Sequence, residues 1–111
     1  MFYQRPRSKY GNKEKVFNNR LYASKGEAGY ARELFLRQKA GEILDIKPQY
    51  RLSLDVNGYH ICNYIVDFLV TMKDGSQELH EYKGFETDVW RMKWKLTEAL
   101  YGKKYKLVVI R

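Results

Sequence analysis

The chain has 111 residues, 44% hydrophobic and 15% aromatic, with 21 Lys and Arg against 13 Asp and Glu and a formal net charge of +8. That length favours one compact domain with a workable core, and a single cysteine, Cys62, excludes an internal disulfide framework. No stretch reaches the roughly 18 consecutive apolar residues of a membrane span, and the opening MFYQRPRSKYGNKEK lacks the apolar middle of a secretory signal, so no membrane partner and a cytoplasmic location are expected.

Residues 1–15 are polar, contain Pro6 and Gly11, and read as an arm. Val16-Phe17 and Leu21-Tyr22 flank Asn18-Asn19, which predicts a short hairpin because Asn tolerates positive φ. Ser24 followed by Glu27 has the spacing of a capping box. Ala31, Leu34 and Phe35 carry the helical period on to Ala40, and Gly41 is a natural stop. After Pro48, Tyr50, Leu52, Leu54 and Val56 alternate with polar residues, the pattern of a half-buried strand. Asn57-Gly58 turns the chain into Ile61–Met72, apolar enough to predict a central strand covered on both faces. Asp74-Gly75 marks the next turn, Gln77–Lys83 the next strand, and Gly84 its end. Asp88–Tyr101 reads as a second helix, with Val89, Met92, Leu96 and Leu100 on one stripe and Gly102 beyond it. Leu107–Ile110 is a last, buried strand. The expected class is α/β in the broad sense (α+β), in the order helix, three antiparallel strands, helix, strand, preceded by the arm (1–15) and hairpin; residues 16–111 form a single domain.

Positive charge of this size speaks of a polyanionic partner. It is concentrated in two places. Arg5, Arg7, Lys9, Lys13, Lys15, Arg20 and Lys25 stand against Glu14 alone in residues 1–25, interleaved with Tyr3, Tyr10 and Tyr22, a combination that suits phosphate neutralisation with stacking. Arg91, Lys93, Lys95, Lys103, Lys104 and Lys106 form the second group. A basic arm can equally serve solubility.

The acidic residues break the apolar pattern. Asp67 interrupts a core-like strand, where an unpaired carboxylate is costly, and alternation sets it on one face with Ile65 and Leu69. Glu81 and Lys83 share a face with Leu79, and Glu27 heads the core-facing stripe Tyr30, Ala31, Leu34, Phe35. Three carboxylates and a lysine thus converge on one inner surface, and hard oxygen ligands of this kind suit Mg²⁺. Each also has a plainer role: Glu27 as the second half of the capping box, Asp67 as the partner of an arginine or a backbone group, Glu81 and Lys83 as a solvated pair. His60, His80 and Cys62 read as ordinary sheet residues, with His80 facing away from Glu81.

Register decides between these readings. A two-residue Asp-Gly turn sets Asp67 opposite Tyr82 and throws Glu81 onto the other face. A three-residue loop, Lys73-Asp74-Gly75, with Gly75 in the left-handed region pairs Met72 with Ser76 and Asp67 with Glu81. Asp-Gly invites the first, the commoner turn; the metal-site reading requires the second, which is the one expected.

Glu27 on a first helix, then YIVDF (64–68), then EYKG (81–84), resembles the PD-(D/E)XK nuclease superfamily, and more narrowly the small phage and prophage proteins related to archaeal-type Holliday-junction resolvases. KYGNK (9–13), SKGEAGYARE (24–33) and KGFETDVWRMKWKL (83–96) extend the resemblance over most of the chain; Val66 stands where the superfamily name has Pro. The resemblance implies a restriction-endonuclease-like core and a metal-dependent DNA endonuclease, structure-selective in phage DNA recombination or processing, working in the cytoplasm or nucleoid of a bacterial host. By the same resemblance Asp67 and Glu81 ligate Mg²⁺ or Mn²⁺ with the backbone carbonyl of Tyr82, Glu27 holds the metal or its water, and Lys83 orients the attacking water or neutralises the scissile phosphate. DNA, branched in the resolvase case, would meet Arg5, Arg7, Lys9, Lys13, Lys15, Lys25, Arg91, Lys93 and Lys95, with Lys93 alternatively a snorkelling surface lysine. A homodimer is expected from the need to cut two strands, with Trp90, Trp94 and Tyr101 as its seam or else as core. Two rivals stand beside this reading: a non-catalytic basic nucleic-acid-binding module, and a structural or partner-binding phage protein.

Overall fold

The computed structural model describes residues 16–18 and 20–111. Arg5, Arg7, Lys9, Lys13, Lys15 and the KYGNK stretch lie outside them. In chain order the elements are β1 (Val16–Phe17), β2 (Arg20–Leu21), α1 (Lys25–Lys39), β3 (Ile43–Val56), β4 (Tyr59–Met72), β5 (Gln77–Tyr82), α2 (Asp88–Tyr101) and β6 (Lys106–Ile110). β1 and β2 form the small hairpin, with Asn18 at φ 53° in its turn. The main sheet has the order β3-β4-β5-β6, antiparallel except for the parallel pair β5–β6. The parallel pair follows from α2 as a crossover, which returns the chain in the same direction. The class is therefore mixed α and β, with one helix against each face.

Local chemistry explains the element ends. Ser24 accepts the Glu27 N–H at 3.1 Å, and Thr87 accepts the Trp90 N–H at 3.1 Å, so both helices begin on a side-chain cap. α1 stops in a Schellman arrangement: Glu42 N–H bonds to Arg37 O, Gly41 N–H bonds to Gln38 O, and Gly41 takes φ 88°. Asn57 and Gly58, at φ 52° and 84°, make the two-residue turn that pairs Val56 with Tyr59.

Two apolar clusters sandwich the sheet. Ala28, Tyr30, Ala31 and Leu34 of α1 pack with Tyr22, Ile43, Phe68 and Val70. On the other side Leu52, Leu54, Tyr64, Val66, Leu69 and Leu79 pack with Trp90 and Tyr105. Leu34, Leu54 and Leu79 are fully buried, each worth on the order of 2 kcal/mol.

Several sequence expectations are corrected. β3 begins at Ile43, not after Pro48, and runs through the proline; as the edge strand it has a side on which a missing N–H costs no ladder bond. β4 is covered on both faces only in its second half, since Ile61 and Ile65 are exposed where the long β3–β4 hairpin extends past the helices. The Val89–Met92–Leu100 side of α2 faces solvent, with only Leu96 of that stripe packed; Trp90, Trp94, Thr97 and Tyr101 face inward instead. The wide aromatic rings fill the layer against β3 and β4, Trp90 buried and Trp94 and Tyr101 half-buried. β6 is an edge strand whose apolar residues are half-buried.

Candidate active site

The β4–β5 loop has three residues. Met72 N–H bonds to Ser76 O at 2.7 Å, Gly75 N–H bonds to Met72 O at 2.9 Å, and Gly75 has φ 91°. Asp74 secures it by accepting from the Ser76 N–H and hydroxyl. The ladder then runs Thr71–Gln77, Val70–Glu78, Leu69–Leu79, Phe68–His80, and the next step sets Asp67 opposite Glu81. There the backbone ladder ends and side chains take over. Asp67 N–H donates to Glu81 Oε1 at 3.3 Å, and Tyr82 N–H donates to Asp67 Oδ2 at 2.8 Å.

The same point carries a kink. Gln49, beside Asp67 on β3, has φ 54°, a conformation that rotates the strand and resets its alternation. Pro48 and Phe68 pair on the α1 side, whereas Tyr50 and Val66, paired two residues away, join the α2-side cluster. Strict alternation therefore breaks around Asp67, with Val66 and Phe68, its two neighbours, in opposite layers.

Glu27 reaches this point from the first turn of α1. It is 6% exposed and accepts from Gln49 Nε2 at 3.3 Å and from the Ala23 backbone. Ser24 supplies its half of the capping box, but the Glu27 carboxylate bonds one residue further back and points toward Asp67 and Glu81. The close fit of α1 on β5 is set by Gly26, where a Cβ would overlap the Tyr82 hydroxyl. Glu81 is 4% exposed. Lys83 Nζ lies 3.6 Å from Glu81 Oε2 and 5.2 Å from the centre of the Trp90 ring. Tyr82, the expected backbone ligand, holds the end of β5 to β4 through its N–H.

Burial first, then the charges of Asp67 and Glu81, push the Glu27 carboxyl up to about 7. Burial and Asp67 do the same to Glu81, also to about 7, against hydrogen bonds from Tyr64 and Asp67 and the charge of Lys83. Asp67 is raised by burial, opposed by the Tyr82 N–H and Lys83. A buried cluster in which Asp67 raises the proton affinity of Glu27 and Glu81, and Glu81 that of Glu27, is relieved by positive charge. Among the described residues, no group of three His, Cys, Asp or Glu side chains is arranged so that it could hold a metal ion. The chemistry of the donors, carboxylate oxygens of Asp67, Glu81 and Glu27, is of the hard kind that a divalent ion such as Mg²⁺ takes together with waters and phosphate oxygens.

His80 faces away, as alternation requires. It is 2% exposed under α1, with Nδ1 2.5 Å from the Tyr30 hydroxyl and Nε2 2.8 Å from Glu78 Oε1. His60 bonds Asp55 at the far end of the hairpin, and Cys62 packs in the α2-side layer. Of the basic candidates, Lys25 is exposed at the head of α1 and Lys93 is half-buried. Arg91 is ion-paired to Asp88 and Glu86, and Lys95 to Glu98 at 3.7 Å. Exposed pairs of this kind are worth little and exchange readily for phosphate. Sequence reasoning missed Gln49, Tyr64 and Trp90. Tyr64 and Trp90 carried a signal only as members of YIVDF and KGFETDVWRMKWKL, and Gln49 carried none.

A family model described as a protein of unknown function (DUF1064) matches residues 7–111. No curated protein and no solved structure matches the chain. Among the described residues, no helix is long and apolar enough to cross a membrane.

Proposed function

We propose that this chain, which belongs to the DUF1064 family, is a Mg²⁺- or Mn²⁺-dependent DNA endonuclease on a restriction-endonuclease-like core, acting in the cytoplasm on branched DNA in phage recombination or processing. One observation carries the reading: Asp67 and Glu81 stand opposite each other at the end of the β4–β5 ladder, with Glu27 buried beside them and Lys83 3.6 Å from Glu81. A protein that only binds nucleic acid has no use for carboxylates buried at this cost, and strongly shifted groups gathered in one place favour catalysis.

Asp67 and Glu81 would hold the ion, with the Tyr82 carbonyl and Glu27 completing the set directly or through water. When bound, the ion lowers the pKa of water and offsets the charge that develops on phosphorus. Lys83 keeps its ammonium on the same face as Glu81, where it orients the attacking water and faces a non-bridging phosphate oxygen. The water would give one proton to solvent as its oxygen bonds to phosphorus, the bond to one deoxyribose oxygen would break, and that oxygen would leave with a proton from solvent. The basic groups of the arm and of α2 would bind phosphates along the duplex, and a homodimer would present two such sites to the two strands.

Cleavage of plasmid, flap and four-way-junction DNA in Mg²⁺ or Mn²⁺ tests the proposal. Asp67→Ala should abolish cutting and leave the fold and most DNA binding intact. An Asp67→Ala protein that cuts at the wild-type rate refutes it.

A further inference from the structure

We propose that Tyr64 and Trp90 are positioning residues for the carboxylate–lysine centre: one indole ring, through its N–H and its face, sets both the Glu81 carboxylate and the Lys83 ammonium. Trp90 Nε1 lies 2.8 Å from the Tyr64 hydroxyl oxygen. An indole nitrogen can only donate, so the Tyr64 oxygen accepts, which leaves its own proton for the neighbouring Glu81 carboxylate. The face of the same ring carries Lys83 Nζ at 5.2 Å, and Lys83 in turn lies 3.6 Å from Glu81 Oε2. A cation over an indole face is held there by the ring quadrupole.

The ring itself is fixed on every side. Its backbone N–H is bonded to the Thr87 cap, Trp94 stacks on it at 5.7 Å and 21°, and Tyr64 meets Trp94 edge-on at 6.3 Å. Tyr64 and Trp90 are 6% and 7% exposed. Neither would touch DNA or the ion. They act through Glu81 and Lys83, by choosing which carboxylate oxygen is already engaged and where the ammonium stands. Partners of this kind typically alter metal affinity or activity 10–100-fold when removed.

This inference rests on the proposed endonuclease reading, and the experiment separates the two. Mn²⁺ binding to the full chain is followed by calorimetry and by tryptophan fluorescence, and cleavage is resolved into kcat and KM for wild type, Tyr64→Phe, Trp90→Phe and the double variant. Both single variants should bind Mn²⁺ about 10-fold more weakly and lose kcat while keeping KM. The double variant should be no worse than Tyr64→Phe, because the two groups act in series. Trp90→Ala, which also removes the face under Lys83, should lose further kcat with no further loss of Mn²⁺ affinity. A structural role alone lowers the melting temperature and moves none of these. Wild-type Mn²⁺ affinity and kcat in either Tyr64→Phe or Trp90→Phe overturn the inference and spare the endonuclease. A wild-type protein that neither binds Mn²⁺ nor cuts DNA overturns both.

Discussion

The carboxylate cluster should leave a signature in stability that needs no substrate. Glu27 and Glu81 each titrate near 7 in the folded protein against an ordinary 4.5. Between those values the folded chain holds more protons than the unfolded one, so stability falls as pH rises from about 4.5 to about 7 and levels off above. For one of these groups the fall is about 3 kcal/mol. The two are not summed, because the Asp67 charge lifts both. His80 works in the opposite sense: burial holds it below its ordinary 6.5, and the stability it contributes is lost as pH drops below that value. The wild-type curve mixes the two signs, and a difference isolates the carboxylates. Glu81→Gln removes one buried charge and lowers the burden on Glu27. In chemical denaturation at about pH 5 and about pH 8 it should gain stability relative to wild type at the higher pH, by about 1–3 kcal/mol, and little at the lower. Millimolar Mg²⁺ should likewise raise the wild-type melting temperature more at the higher pH, and should do less for Glu81→Gln. If Glu81→Gln is equally destabilised at both pH values and Mg²⁺ has no effect at either, the buried carboxylates are not a repelling cluster that awaits a cation.

Glu27 and Ser24 should separate cleanly. Ser24→Ala loses the α1 cap and about 1 kcal/mol while still cutting DNA, whereas Glu27→Gln should keep or gain stability and lose cleavage; a Glu27→Gln protein that loses stability yet cuts at the wild-type rate returns Glu27 to a structural role. Binding to duplex DNA should weaken with salt at a slope near −0.9 per neutralised phosphate, and removing residues 1–13 should flatten it; an unchanged slope makes the arm a solubility tail. Gly26→Ala should cost about 1–3 kcal/mol through forced displacement of the Tyr82 ring, despite alanine's better helix propensity; a melting temperature at or above wild type would mean the ring moves freely.

Much of this molecule was legible in the chain because its signals are local. Ser24 and Gly41 bracket α1 and Asn57-Gly58 closes the first hairpin, whereas Asp74-Gly75 fits a two-residue turn as well as the three-residue loop found, and only the fold selects the register that brings Asp67 beside Glu81. The caps and the Asn-Gly turn depend on a few adjacent φ angles, so the sequence determines them. Which side of a helix faces the core is not local. Val89, Met92 and Leu100 make as good an apolar stripe as Trp90, Trp94 and Tyr101, and only the space above β3 and β4 selected the aromatic one. The kink at Gln49 is of the same kind: nothing in PQY announces a left-handed residue in mid-strand, and on the facing strand Val66 and Phe68, two apart, enter opposite layers. The site therefore divides in two. The order of Glu27, Asp67, Glu81 and Lys83 along the chain supplied its acids and its lysine, while Gln49, Tyr64 and Trp90 became their partners only through packing, since residues 22, 17 and 7 positions from the groups they serve meet by tertiary contact alone.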